Sequence, residues 1–359
     1  MAEVSAPAAP PLLQVRDLVQ EFAIRNAGGM RGARLRAVAG VSFEVARGET
    51  LGVVGETGSG KSTLARAILQ APRPVAGQVV FDGVDLTRQP SGQLTAARRA
   101  LQMVFQDPFG SLDPRWPVSE IVAAPLAAAG MRSRAQRRRR VGELLELVGL
   151  DLRVHGGRRP RQLSGGQCQR VAIARAIATS PKLLICDEAV SSLDVLVQAQ
   201  ILSLFDALRG ELALAYLFIA HDLALVRQVS DRVLVMYLGR ICEIGPAEEI
   251  FAAPRHPYTR ALLAAVPSAD PDASHPRSDE FISGELPNPV HPPSGCRFRT
   301  RCPRAAARCA EQTPELQPAG AGHLVACHFP LESHAAGTGA LAGQVLGIGG
   351  STAETEDPA

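Results

Sequence analysis

The stretch Val53-Val54-Gly55-Glu56-Thr57-Gly58-Ser59-Gly60-Lys61-Ser62-Thr63-Leu64 constrains this chain most, because it meets the pattern GxxxxGKS between an apolar run and a helical one. Thr50 to Val54 has the character of a buried strand, and Leu64, Ala65, Ile68 and Leu69 recur at helical spacing. Glycines at 55, 58 and 60 allow the tight curl in which successive N–H groups point inward as an anion-binding nest. The helix that follows adds its positive end. The candidate phosphate-binding residues are therefore those from Gly55 to Thr63. Of the chain's 38 basic residues only Lys61 and Lys182 are lysines. A compact ammonium suits a point contact to β- and γ-phosphates better than a planar guanidinium does.

At 359 residues, 46% of them hydrophobic, the chain can bury one large α/β core with something smaller attached. A net charge of +3 and an aromatic content of 4% argue against a nucleic-acid partner or a base-stacking platform. The longest apolar run, Leu212 to Ala220, is about half the length a transmembrane helix needs. The N-terminal MAEVSAPAAPPLL lacks the basic start and apolar core of a secretory signal, so a cytoplasmic location is expected.

In order along the chain, Leu12 to Phe22 and Ala37 to Val45 alternate as two strands of one sheet, joined by a loop from Asn26 to Arg34. Phe22, at a strand end, is a candidate to stack on a nucleobase or simply to pack. Gln78 to Phe81 is a further strand before the Asp82-Gly83 turn, and an apolar run ending in Gln106 precedes a Pro/Gly-rich stretch. Val118 to Gly149 follows a helical pattern, with the basic run Arg132 to Arg140 as a solvated face. Leu163-Ser164-Gly165-Gly166-Gln167 opens another helix, either as a plain N-cap or as a second anion-binding end.

Leu183 to Glu188 is a buried strand that delivers two adjacent carboxylates at its C-terminal end, where open parallel sheets place their ligands. Because side chains alternate along a strand, Asp187 can hold the Mg²⁺ of a nucleotide while Glu188 orients or deprotonates the attacking water. Cys186 is a small buried hydrophobe. Ser191-Ser192-Leu193-Asp194 leads into a helix through Leu208, and the strand Ala215 to Ala220 ends in His221-Asp222, where the histidine can reach a γ-phosphate. Val233 to Tyr237 and Arg240 to Ile244, around Leu238-Gly239, form a hairpin expected to close the domain. Four of the seven cysteines, Cys296, Cys302, Cys309 and Cys327, cluster near the C-terminus. In a cytoplasmic chain that favours a metal site over disulfides, and four thiolates suit either zinc or an iron–sulfur cluster.

Taken in order, GETGSGKST, FQDP, LSGGQ, LLICDE, SSLD and AHD resemble the motifs of the ATP-binding subunit of an ABC transporter. SLDPRWPVSEI, SDRVLVMYLGRICEIGPAEEIF, HPYTRALLAAVP and PPSGCRFRTRCP narrow the resemblance to the oligopeptide/dipeptide importer group, which includes nickel importers. The resemblance runs from about Leu12 to about Leu331.

It implies an α/β P-loop NTPase (RecA-like) nucleotide-binding domain over 12–266, with antiparallel β and helical subdomains, the latter at about 107–180. A small cysteine-rich C-terminal domain would occupy 267–331, after a linker from Pro267 to Glu280, with tails at 1–11 and 332–359. It further implies an ATP sandwich between two subunits, identical or different, in which Ser164, Gly165, Gly166 and Gln167 act on the partner's ATP and Asp194 lies across the interface. Gln106 would sense Mg²⁺ and γ-phosphate, Ser62 and Asp187 would hold Mg²⁺, Glu188 would be the catalytic base, and His221 would hold the γ-phosphate. Cys296, Cys302, Cys309 and Cys327 would bind a [4Fe-4S] cluster, with Zn²⁺ as the alternative. The implied partners are two membrane permease subunits and, indirectly, an extracytoplasmic solute-binding protein. The implied place is the cytoplasmic face of the cell membrane, as a peripheral protein.

Three positions depart from the group's pattern: Cys168 stands for arginine, Ala189 for proline and Ser192 for alanine, and none of them removes a catalytic side chain. Soluble ABC ATPases that act on DNA or ribosomes carry a long coiled coil or two cassettes, and this chain has neither.

Overall fold

The computed structural model describes residues 10–25, 31–191, 193–265 and 285–332. The expected linker from Pro267 to Glu280, most of both expected tails, the loop residues 26–30 and Ser192 lie outside the described residues. Among the described residues no helix is long and apolar enough to cross a membrane.

Two sheets organise the chain. The smaller is antiparallel, built from β1 (Leu13–Arg25), β2 (Arg31–Val45), β4 (Ala76–Phe81) and β5 (Val84–Asp85), in the order β2-β1-β4-β5. β2 begins at Arg31, so the expected loop to Arg34 is shorter than its glycines and arginines suggested. The larger sheet has a parallel centre of β3 (Thr50–Val54), β6 (Leu101–Val104), β7 (Leu183–Asp187), β8 (Ala215–Ile219) and β9 (Arg232–Tyr237), with neighbours β9-β3-β8-β7-β6. All five residues of β3, of β7 and of β8 are buried, which is why those segments read as continuous apolar runs.

One core lies on the helix-covered side of this sheet, and a second fills the space between it and the antiparallel sheet. α1 (Lys61–Ile68) belongs to the second core through Leu64, Ala65, Ala67 and Ile68. Towards the C-terminus, β10 (Arg240–Pro246) returns antiparallel to β9 through Leu238 and Gly239, both at positive φ. The hairpin forms as expected, and it does not lie at the edge of the sheet. The strand His323–Val325 pairs with β10, and Gln317–Gly320 pairs with that strand in turn. Phe298, 1% exposed, belongs to the main core. The described cysteine-bearing residues are thus laid onto the larger sheet.

The helical pattern over Val118 to Gly149 is carried by two helices, Val118–Ala128 and Arg134–Leu147, the basic run lying at the start of the second. Gly130 at φ +98 lets the chain turn out of the first, and Ser133 caps the second by accepting the Gln136 N–H. A sequence pattern of apolar spacing carries across such a break, because both helices present apolar faces to the same core.

His256 ties the segment after β10 to this framework and is buried. Its Nδ1 accepts the Tyr258 N–H at 3.0 Å, capping the helix Pro257–Ala264, so that nitrogen carries no proton. Burial pushes the imidazole down to about 4, opposed by the charge of Glu243 and a hydrogen bond to the Ala326 backbone. The group is neutral in the folded chain while the unfolded chain takes up a proton below about 6.5, so its stabilising effect is complete above that pH and is lost as pH falls towards 4. Denaturant unfolding is expected to lose roughly 3 kcal/mol from this residue between pH 6.5 and 4. His256→Gln, whose amide oxygen can still accept the Tyr258 N–H, should flatten that part of the pH profile.

Candidate functional site

The loop between β3 and α1 is held by backbone on three sides. A Cβ at Gly60 (φ +106) would lie 2.2 Å from the Ala37 carbonyl oxygen of β2, and one at Gly55 (φ +150) would lie 2.2 Å from the Met236 carbonyl oxygen of β9. The Gly239 N–H of the β9–β10 turn donates to the Ser59 carbonyl at 2.7 Å. At Gly55 and Gly60, glycine is demanded by space as well as by conformation.

Lys61 is 5% exposed, and its Nζ donates to the carbonyls of Gly55 (2.6 Å) and Glu56 (3.1 Å). Burial lowers its pKa, opposed by the carboxylates of Glu188, Asp187 and Glu56. Next to it, Ser62 Oγ donates to Asp187 at 2.8 Å. Asp187 is raised by burial and by the neighbouring charge of Glu188, and is lowered by the Ser62 hydroxyl. Asp187 is therefore a buried carboxylate with a single neutral hydrogen-bond donor beside an ammonium, a setting that favours a cation.

Glu188, one residue on, lies just past the end of β7. Its backbone adopts φ +49, uncommon for a residue with a side chain, and its N–H donates to the Ile219 carbonyl at 2.9 Å. Its carboxylate accepts from Gln106 Nε2 at 2.8 Å and lies 3.7 Å from His221 Nδ1. Three segments far apart in sequence thus meet at one carboxylate at the C-terminal ends of parallel strands. That is the ligand position of an open α/β sheet.

Ser164 opens the helix Gly165–Ile177 with a reciprocal capping box. Its Oγ accepts the Gln167 N–H (3.3 Å), and Gln167 Oε1 accepts the Ser164 N–H (3.1 Å). A Cβ at Gly166 would press on Val197 at 2.6 Å, so the glycine lets this helix start approach the next helix, Val195–Leu212. Asp194 caps that second helix through the Val197 N–H at 3.0 Å, and the two residues after it, Val195 and Leu196, are each 78% exposed. Phe22 sits on β1 opposite Leu35, 39% exposed. Cys168 is buried, with its thiol against the Pro160 carbonyl.

The four C-terminal cysteines line one pocket of about 10 Å³. Burial pushes the Cys327 thiol up to about 12, reinforced by the other three, and Cys296 and Cys302 are raised by the same causes. Room of that size suits about one water. Among the described residues no group of three or more His, Cys, Asp or Glu side chains stands where it could hold a metal ion. The four thiols share one pocket, and the expected metal centre finds no ready-made ligand group among the described residues.

Two residues that sequence analysis did not assign also touch the phosphate loop. Tyr258 Oη accepts the Glu56 N–H at 2.9 Å, and Arg301 Nη1 donates to the Glu56 carboxylate at 2.9 Å. Both lie in stretches quoted above for the resemblance, HPYTRALLAAVP and PPSGCRFRTRCP, but spacing carries no sign that they return to residue 56.

Residues 38–191 match the family described as ABC transporter, and residues 242–309 match the oligopeptide/dipeptide transporter C-terminal region. A putative peptide import ATP-binding protein of Brucella ovis is 46% identical over 317 residues, covering 88% of this chain and 97% of that protein. The oligopeptide transport ATP-binding protein OppF of Escherichia coli is 47% identical over 320 residues, covering 88% and 95%. Among solved structures, a dimeric ATP-binding cassette in a post-hydrolysis state with ADP and Pi superposes with a TM-score of 0.59 at 28% identity, covering 66% of this chain and 98% of that one.

The contacts at the loop glycines give a direct prediction. Gly60→Ala meets backbone that cannot withdraw and is expected to cost more than about 3 kcal/mol of unfolding free energy. Gly58→Ala, with nothing within 4 Å of the new Cβ and φ +81, should cost only about 1–2 kcal/mol of conformational strain. Denaturant titration of the two variants checks the ordering.

Proposed function

Because the chain belongs to the ABC transporter family of ATP-binding cassettes, we propose that it is the subunit that energises an importer of dipeptides, oligopeptides or a related solute. As a member of that family it hydrolyses ATP. The import assignment rests on relatives named for peptide or oligopeptide transport and on the match to the oligopeptide-type C-terminal region. In this role the chain works as a peripheral protein on the cytoplasmic face of the membrane. Its partners there are a second ATPase subunit, identical or different, two permease subunits and, indirectly, an extracytoplasmic solute-binding protein.

The single observation that carries the mechanism is the junction of Ser62, Asp187, Glu188 and Gln106 beside the phosphate loop. The loop N–H groups from Gly58 to Thr63 and the Lys61 ammonium take the β- and γ-phosphates, displacing Lys61 from the carbonyls it now meets. Ser62 and Asp187 would hold Mg²⁺, which would offset the negative charge of the phosphate oxygens and whose charge suits a carboxylate that burial leaves under-solvated. Glu188, positioned by Gln106 and close to His221, accepts a proton from the attacking water. His221 then faces the γ-phosphate and Gln106 follows whether Mg²⁺ is present. Phe22 offers an open ring to the base.

Ser164, Gly165, Gly166 and Gln167 present a helix start to the partner's ATP, and Asp194, before the exposed Val195 and Leu196, belongs to the facing surface. Glu188→Gln should therefore retain nucleotide binding and lose at least about a hundredfold in ATPase rate. Lys61→Ala should weaken binding itself. Normal steady-state turnover by Glu188→Gln, free of contaminating ATPase, would remove Glu188 from the role of base.

We also propose that Cys296, Cys302, Cys309 and Cys327 take up a metal centre, a [4Fe-4S] cluster ahead of Zn²⁺. In support, the four thiols line one pocket, where desolvation and neighbouring thiols raise Cys296, Cys302 and Cys327, a cost that a cation relieves, and the sequence offers no short CxxC pair of the zinc type. Since no metal-holding group is present among the described residues, loading requires the segment to rearrange around the centre. Anaerobically prepared protein is expected to contain about four irons and four sulfides per chain, reduced together in Cys302→Ser. Stoichiometric zinc without sulfide selects the alternative, and protein free of both overturns the metal assignment.

A further inference from the structure

Glu56, the second residue of the phosphate loop, is gripped from two parts of the C-terminal half. Its N–H donates to Tyr258 Oη (2.9 Å), and its carboxylate accepts from Arg301 Nη1 (2.9 Å), a partner 245 residues away. Arg301 is 8% exposed, and Nη1 also donates to Tyr237 Oη at 3.2 Å. A long side chain positions little by itself, but here the surroundings fix it. Tyr237, Tyr258 and Phe298 are buried with ring centroids 4.7–5.3 Å apart. Phe298 and Arg301 lie between Cys296 and Cys302.

The inner side of the same loop residue faces the phosphate site. The Glu56 carbonyl accepts from Lys61 Nζ at 3.1 Å, and the Glu56 charge is felt at that ammonium. Released from Arg301, the carboxylate would stand as an uncompensated negative charge beside the position of a triphosphate. The loop would also enter binding less ordered.

We propose that Arg301, together with Tyr258, is a positioning residue for the nucleotide: it neutralises and holds Glu56 so that the loop N–H groups and Lys61 are preset for phosphate. The segment that bears the cysteines is thereby part of the nucleotide site. This proposal rests on the ATPase assignment above. Neither residue touches phosphate; both act through Glu56.

The test compares equilibrium affinity for ATP, and KM against kcat, in the full-length chain and in Arg301→Gln, Arg301→Lys, Glu56→Gln, Tyr258→Phe and the Arg301→Gln/Glu56→Gln double variant. Arg301→Gln is expected to weaken ATP affinity and raise KM about tenfold, with kcat at saturation within about threefold of the parent. Arg301→Lys should recover much of that loss. The double variant should bind no more weakly than Arg301→Gln alone, because Glu56 is the only route of action. Tyr258→Phe, which removes one hydroxyl, should weaken affinity about threefold and serves alone if Arg301→Gln does not fold.

Additive losses in the double variant, or unchanged affinity in folded Arg301→Gln and Tyr258→Phe, overturn the proposal. A parent protein that neither binds nor hydrolyses ATP removes the ATPase assignment itself. A functional parent with unaffected variants removes only the anchor.

Discussion

The closeness of backbone to the phosphate loop is the constraint on which the rest of the structure depends. Gly60 stands where a methyl group would strike the Ala37 carbonyl, and Gly55 where one would strike that of Met236. Gly239 donates to Ser59 across the same gap. Ala37 belongs to the antiparallel sheet, Met236 to the parallel sheet and Gly239 to the turn that leads into the C-terminal half. A nest of N–H groups needs its curvature imposed, and here three separate pieces of backbone impose it. The two sheets are brought together over the loop, with the second core between them.

Electrostatics then divides the site in two. Asp187, at the end of β7, is buried and accepts from Ser62. Glu188, just past the strand at positive φ, accepts from Gln106 and lies near His221. One strand end thus supplies a carboxylate suited to a cation and another suited to a water, separated by a change of backbone direction. The buried lysine sits between these charges, and its hydrogen bonds to loop carbonyls are of the kind that phosphate oxygens can replace.

Much of this was legible in the sequence because it is local. β3, β7 and β8 are apolar runs buried on both faces, and their ends carry the glycine loop, the paired acids and His221. The segments at Gln106 and Ser164 were readable as elements, and their meaning came from order and resemblance. What was not legible depends on long-range geometry. Nothing in the spacing says that His323–Val325 adds a strand to β10, or that the helical pattern after Val118 breaks at Gly130. Four cysteines in a short stretch suggested a metal centre, and they do line one pocket, but composition does not specify the room or the geometry between them. Glu56 was read only as part of the phosphate-binding loop, and its partners Tyr258 and Arg301 become visible only when the C-terminal segment is folded back.

The central claim is that one composite site, built from the phosphate loop and the end of β7, holds Mg²⁺ and ATP. Its most direct measurement is a structure of the chain determined with Mg²⁺ and a non-hydrolysable ATP analogue. The account predicts two chains enclosing the nucleotide, phosphates on the loop from Gly58 to Thr63, and a cation held at the Ser62–Asp187 pair. A nucleotide bound away from that loop, or one whose cation leaves both Ser62 and Asp187 untouched, would contradict it.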